Sequence, residues 1–386
     1  MANSLGYYVP EFYANEALIQ LEKALGMANT IYMGYDEERR VYGRGEKINI
    51  KKPSSFTAED APGSAQDLDT GQVQISLDYW KEVRFALTDK ELALSEKNII
   101  EQHIRPAAYA LADFIDSSLC DLYKEVPWLY DLNATPGSVV TDITGPRKVL
   151  FDNAVPMKDP AMMHYMVDGE MEANLLGLSA FAQWQGAGAE GVRTQVSGAL
   201  GQRYGFNFFA NQNVKTHTGG TCADATGAID NVAGYAKGVS TIHIDGVTDG
   251  GDWNIGDTFV IAGNTQRYAV TADVTFTGGE GDVSFTPPLA AAVSDGDVVT
   301  GTIVASSTQN LAYHKNAFAM AFGQLPFELP NELGARVVSV TDPVTNLSIR
   351  SRLYYDGDNS KVVVVLDVLF GIKTLDGNLA VRPYKD

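Results

Sequence analysis

The chain is 386 residues long, room for one large domain or two to three smaller ones, and 45% of it is hydrophobic, so a sizeable core can be buried. Its 29 Lys and Arg stand against 48 Asp and Glu, and a formal net charge of −19 excludes a protein that grips phosphate backbones through clustered cations. Two widely spaced cysteines, Cys120 and Cys222, exclude a disulfide scaffold and read as reduced thiols of a cytoplasmic product.

The N-terminal Met-Ala-Asn-Ser-Leu-Gly-Tyr-Tyr lacks the basic start and apolar run of a secretory signal, and no stretch approaches the roughly 18 apolar residues of a membrane span. Leu18, Leu21 and Leu25 recur at helical spacing and predict an amphipathic helix over Asn15 to Asn29. It has no neighbour in sequence to cover its apolar stripe and must dock on something distant. Lys47-Ile-Asn-Ile-Lys51 alternates polar and apolar residues, and Val73, Ile75, Leu77 and Tyr79 alternate again, continued by Val83, Phe85 and Leu87. The polar stretch Pro53 to Thr70 lies between them, so the pattern predicts a long hairpin with a wide tip. Such a ribbon is marginal in water, and its length implies a partner surface.

Thr88-Asp-Lys-Glu91 has capping-box spacing, and a helical pattern follows to about Glu125. Pro106 predicts a kink or break, with the helix unbroken from Pro106 to Lys124. Residues 137–218 read as mixed α/β: a helix start at Gly145-Pro146-Arg147, a strand from His164, a helix over Glu170 to Gln183, a loop at Gly186 to Gly191, then turn, strand and turn over Gly198 to Asn211. From Ser240 to Val304 short apolar bursts alternate with Asp/Gly turns, with Arg267 the single Lys or Arg against nine acids. This predicts a small all-β module dropped into a larger α+β body. Beyond it come a short apolar helix over Asn316 to Gly323 and three strands, Arg336 to Val340, Leu347 to Tyr355 and Lys361 to Phe370. The run Val362 to Leu366 suits a strand buried on both faces or paired in an interface.

No catalytic, cofactor-binding or metal-binding residue is predicted. His103, His164, His217, His243 and His314 have no partners at metal-ligand spacing, and Cys120 reads as a buried small hydrophobe. Gly186-Ala-Gly-Ala-Glu-Gly191 has the spacing of a dinucleotide loop but follows a helical pattern instead of a strand. The Asp/Gly turns at Asp249-Gly-Gly-Asp252 and Gly278-Gly-Glu-Gly-Asp282 lack calcium-loop spacing and read as hairpin turns.

Leu311-Ala-Tyr-His-Lys-Asn-Ala-Phe-Ala-Met-Ala-Phe-Gly323, then Asp342-Pro-Val-Thr-Asn-Leu-Ser-Ile-Arg-Ser-Arg-Leu-Tyr-Tyr-Asp356, then Leu366-Asp-Val-Leu-Phe-Gly-Ile-Lys-Thr-Leu-Asp-Gly-Asn-Leu-Ala-Val-Arg382 form a series. This series resembles the major capsid proteins of tailed double-stranded-DNA phages, and in particular the coat proteins of short-tailed Salmonella phages. Gly198-Ala-Leu-Gly, Gly205-Phe-Asn-Phe-Phe-Ala-Asn211, His217-Thr-Gly and Thr88-Asp-Lys-Glu-Leu92 are similar to stretches of the same family, in the same order.

The resemblance implies an α+β, Hong Kong 97-type fold: N-terminal arm (1–40), extended-loop hairpin (41–88), peripheral domain with a spine helix (89–136 and 336–376), axial domain (137–222 and 305–335), an inserted all-β domain (223–304) and a C-terminal tail (377–386). It implies a non-enzymatic structural protein of the virion, made in the bacterial cytoplasm, that self-assembles into hexamers and pentamers of an icosahedral head. Implied partners are a scaffolding protein, a portal protein at one vertex, a decoration protein, and packaged DNA held without sequence-specific contacts. No cofactor and no membrane are implied.

The hairpin and arm are the expected assembly contacts, through Lys47, Lys51, Lys52, Glu59, Asp60, Asp67 and Asp69 and through Leu18, Leu21 and Leu25. An acidic wall suits a container that repels a packed polyanion. The alternatives are an encapsulin-like compartment with a cellular cargo, and a hydrolase carrying a β-sandwich binding module.

Overall fold

A computed structural model describes residues 10–33, 47–51, 61, 72–88, 103–183, 189–222, 224–304, 306–323, 325, 335–341 and 347–385. The chain divides into two compact units, one of residues 1–116 and 319–375, the other of residues 117–318 and 376–386.

The first unit is built on the strand Lys361–Thr374. It pairs antiparallel with Ser348–Asp356 and with Tyr79–Thr88, and Ala335–Thr341 pairs with the outer side of Ser348–Asp356. Val363 to Leu366 are buried, as the apolar run predicts for a strand flanked on both sides. Phe318–Gly323 joins this sheet and all six of its residues are buried. The sequence reading made it a helix. A short apolar run covered on both faces carries no period that separates helix from strand, which is why it misled.

The first helix, Pro10–Ala24, packs on Ala335–Thr341 and Ser348–Asp356, more than 300 residues away in sequence. Ala14, Ala17, Leu18 and Leu21 are buried on it, with Leu25 just beyond its end. Its end is tied to the helix Arg105–Cys120: the Asp116 carboxylate accepts the Gly26 N–H (2.5 Å) and the Ala28 N–H (3.2 Å). Burial pushes Asp116 above the usual carboxylate range, against the pull of these N–H donors. Pro106 is the second residue of this helix, and residues 103 and 104 just before it are π-helical, so the break expected at Pro106 is a change of helix type there; residues 89–102 lie outside the described residues. Beyond Cys120 the chain tightens into a 3-10 turn, Asp121–Glu125.

The second unit has a six-stranded mixed sheet in the order Leu129–Asp131, Ala380–Tyr384, Leu311–His314, Met163–Val167, Phe206–Ala210 and Gln202–Arg203. Tyr165, Phe181, Phe206, Phe208, Met171 and Leu175 pack in its core. The helix expected to start at Gly145 runs from Thr141 to Asp152, with Pro146 inside it. Proline removes the N–H that would bond the Asp142 carbonyl. The Tyr165 hydroxyl donates to that carbonyl instead, at 3.1 Å. The helix expected over Glu170 to Gln183 is broken at Leu178 into Gly169–Gly177 and Ser179–Ala182. A helix, Ala189–Ser197, begins inside the stretch expected as a loop at Gly186 to Gly191, of which residues 186–188 lie outside the described residues.

The acidic module is a closed six-stranded barrel of Thr226–Ile229, Thr241–Asp245, Thr258–Ile261, Arg267–Val270, Gly281–Thr286 and Val298–Thr302. It therefore opens at Thr226, before the composition shift at Ser240. Closure leaves no exposed edge strand. Trp253, Phe259, Tyr268, Phe276 and Phe285 fill its core with tilted and edge-to-face ring contacts at 5.0–5.7 Å.

Candidate functional site

Two places combine chemistry with position: the root of the hairpin in the first unit, and the joint between barrel and body in the second.

The strands Lys47–Lys51 and Gln72–Ser76 pair in register, with Ile48 opposite Ile75 and Lys47 opposite Ser76. Among the described residues they pair only with each other. Ile48, Ile75 and Leu77 are buried against Ala319 and Ala321, with Leu369 alongside. Gly371 permits the seat. A Cβ there would lie 2.2 Å from the Ser76 carbonyl oxygen, a backbone atom. Tyr79 stacks on Phe370 at 5.1 Å, and Phe114 lies 6.3–6.4 Å from both rings.

The strand that continues the hairpin is also held by charge. Asp367 is fully buried and lies opposite both Arg350 and Glu82 in the sheet register. The Arg350 guanidinium binds it with two nitrogens, Nε at 3.0 Å and Nη2 at 2.5 Å. Trp80 Nε1 donates to it at 3.2 Å. Arg352 Nη2 bridges Asp367 (3.2 Å) and Glu82 (2.6 Å), and Arg84 reaches Glu82 at 2.9 Å. Bidentate Arg–carboxylate geometry with every carboxylate oxygen engaged is what makes a buried pair tolerable.

The expected assembly residues fall unevenly on this frame. Lys47 is exposed at the hairpin root, and Lys51 ends its strand. Lys52, Glu59, Asp60, Asp67 and Asp69 lie outside the described residues. Leu18, Leu21 and Leu25, expected to face a neighbour, are covered within their own chain at 8%, 0% and 7% exposure. They are core positions of the subunit, because the surface they need is supplied by the distant strands of residues 335–356.

At the barrel joint the central group is Asp257, 2% exposed. Its carboxylate accepts the Asn254 N–H (2.7 Å) and the Gly220 N–H (2.9 Å), and its Oδ1 lies 3.0 Å from His217 Nε2. The other ring nitrogen of His217 lies 3.2 Å from the Tyr123 hydroxyl. Arg382, 1% exposed, packs over the Tyr123 ring and donates to the Gly256 carbonyl at 2.8 Å. Asn378 accepts from Trp128 of the body (2.9 Å) and from Gln266 of the barrel (2.8 Å). Burial pushes Tyr123 up to about 12 and Arg382 down to about 10. Tyr, His and Asp in a row suggest a proton relay. Here Tyr123, His217 and Asp257 are all buried, leaving no room for a substrate at the phenol, and the arrangement ties the segments that carry them together.

The acids of the barrel mostly cap turns. Asp249 accepts the Gly278 N–H, Asp273 that of Ile255, Asp295 that of Asn231 and Asp297 that of Ser294. This fits the hairpin-turn reading and gives the charge imbalance a structural cause. One expectation needs correction: the barrel brings Asp230 and Glu280 to His243, a grouping that spacing along the chain did not reveal. Cys120 and Cys222 are buried free thiols, as expected. Asp116, Asp257, Asp367 and Arg382 were not singled out from the sequence. Each is a charged residue next to apolar or turn residues, and only long-range pairing reveals its partner.

No known protein-family profile matches the sequence, and no curated protein matches it either. Solved structures do. A structure of Mycobacterium phage Che8 superposes with a TM-score of 0.52 at 13% identity, over 93% of this chain and 90% of that one. The capsid of the cyanophage P-SCSP1u gives 0.48 at 10% identity, over 92% and 86%. The mature capsid of bacteriophage PhiM1 gives 0.43 at 10% identity, over 88% and 82%. None of these three is named as a Salmonella phage. By its superposition on these structures the chain has the Hong Kong 97-type fold of tailed-phage major capsid proteins.

Proposed function

We propose that this chain is the shell subunit of a tailed-phage head, assembling into hexamers and pentamers of an icosahedral capsid around double-stranded DNA. The observation that carries it is the hairpin: its described strands, Lys47–Lys51 and Gln72–Ser76, form a two-stranded ribbon that pairs with no other described strand, on a subunit whose fold is that of capsid proteins. A two-stranded ribbon gains stability by lying on another surface, and a second copy supplies one repeatedly. We read the first unit as arm, extended loop and peripheral domain, and the second as axial domain with the inserted barrel.

Scaffolding, portal and decoration proteins are the partners this role calls for, and packaged DNA would meet an acidic wall. The proposed role is structural, with no reaction. No observation favours the encapsulin-like alternative over it. Light scattering on the purified full chain, alone and co-expressed with a scaffolding protein from the same gene cluster, tests the reading. Megadalton particles support it, and a strict monomer under every condition refutes it.

A further inference from the structure

The barrel carries a side-chain grouping that the shell role does not use. Ile242 and Ile244 point into the barrel core, so His243 between them points outward. Ligand atoms of Asp230, His243 and Glu280 lie within 4.8 Å of one another. They come from adjacent elements: Asp230 follows the strand Thr226–Ile229, His243 is in Thr241–Asp245, and Glu280 directly precedes Gly281–Thr286. Backbone pairing fixes this relationship, because the Asp230 N–H donates to the His243 carbonyl at 3.1 Å and His243 lies opposite Asp282 in the register.

We propose that Asp230, His243 and Glu280 form a binding site for a borderline divalent cation of the zinc class on the outer face of the barrel.

Three independent features point this way. The first is the donor set. Imidazole with two carboxylates suits zinc or cobalt, whereas magnesium and calcium favour all-oxygen ligands. The second lies outside the ligand set. Asp282 Oδ1 is 2.7 Å from His243 Nδ1, the carboxylate–imidazole contact that fixes the tautomer and orients a metal-binding histidine, and it leaves Nε2 facing Glu280 at 3.9 Å. The third is charge. Among the described residues, no Lys or Arg forms an ion pair with Asp230, Glu280 or Asp282, and the one Arg of the segment, Arg267, is half-buried and donates to Thr302.

Tetrahedral ligands at about 2.1 Å from zinc are about 3.4 Å apart, so the two exposed carboxylates need close by only about an ångström. A metal here would clamp a weak seam, since the strands Thr226–Ile229 and Thr241–Asp245 share just two residue pairs, Ile244 with Ile229 and Asp245 with Ala228.

The test is titration of the untagged full chain with cobalt(II), read by visible absorption, and with zinc(II), read by calorimetry. The proposal predicts one cobalt band and one zinc equivalent per chain, lost in His243→Ala and in Asp230→Asn with far-ultraviolet circular dichroism unchanged. Asp282→Asn, which leaves the three ligands intact, should weaken zinc about 10–100-fold. Absence of both signals in the native chain overturns the proposal. So does undiminished binding in both ligand variants, or displacement of zinc by equimolar calcium, the behaviour of a diffuse acidic surface.

Discussion

His217 Nε2 stands 3.0 Å from Asp257 Oδ1 with both side chains buried, linking the segment that enters the barrel to a turn inside it. Asp257→Ala leaves the imidazole and two backbone N–H groups without their acceptor, in a place water does not reach. Each buried donor left without its acceptor costs about 1–3 kcal/mol. Urea unfolding of the variant should show a loss of that size. A loss below about 1 kcal/mol would mean the joint is held by packing alone.

Gly371 is the corresponding test of the hairpin root. An alanine there meets the Ser76 carbonyl, which has no side-chain freedom to move aside. We expect Gly371→Ala to cost about 1–3 kcal/mol, as overpacking does, and to unseat the ribbon. Hydrogen exchange should show faster exchange at Ile75 and Ser76 than in the native chain, with the barrel amides unchanged.

Acid should destabilise the second unit. His164 is pushed down to about 4 by burial, with Lys315 and His314 nearby adding to the effect. His314 is also lowered by burial, and its Nδ1 accepts the Asn316 N–H, which a protonated ring cannot do. The unfolded chain, with histidine near 6.5, binds more protons than the folded one between about pH 6.5 and 4. Stability therefore rises with pH across that window and falls as pH drops through it. Thermal melts at both ends should show this slope, and His164→Gln should flatten it. A slope unchanged in that variant would place the titration elsewhere.

Deleting residues 54–69 removes most of the hairpin tip while leaving its paired root. The subunit should stay folded, since Ile48, Ile75 and Leu77 keep their contacts, while particle yield falls sharply. Loss of soluble protein instead would assign the tip to the folding core.

Where a strand alternates or a helix keeps its period, the sequence was legible. Lys47–Lys51 matches its expected bounds and the strands expected over Arg336 to Val340 and Leu347 to Tyr355 lie within a residue of theirs, while the strand expected to end at Phe370 runs on to Thr374. Asp/Gly turns marked the inserted module, but its first strand, Thr226–Ile229, has an ordinary composition and joins the barrel only by pairing with residues 244–245 and 298–300. Phe318–Gly323 failed because burial on both faces erases periodicity. The destination of the first helix failed for a related reason. Leu18, Leu21 and Leu25 show that a covering surface exists, while nothing local says whether it belongs to the same chain or a neighbour. Asp257, Asp367 and Arg382 were missed because a buried charge is recognised by its partner, and each partner lies from 17 to 126 residues away.

The most direct test of the shell reading is electron cryo-microscopy of the purified full chain, alone and co-expressed with a scaffolding protein from the same gene cluster. The account predicts closed icosahedral particles in which the hairpin of each subunit lies along the adjacent copy and the barrel keeps its contact with the body through Asp257. Discrete monomers in every preparation, or particles in which the hairpin folds back onto its own subunit, would contradict it.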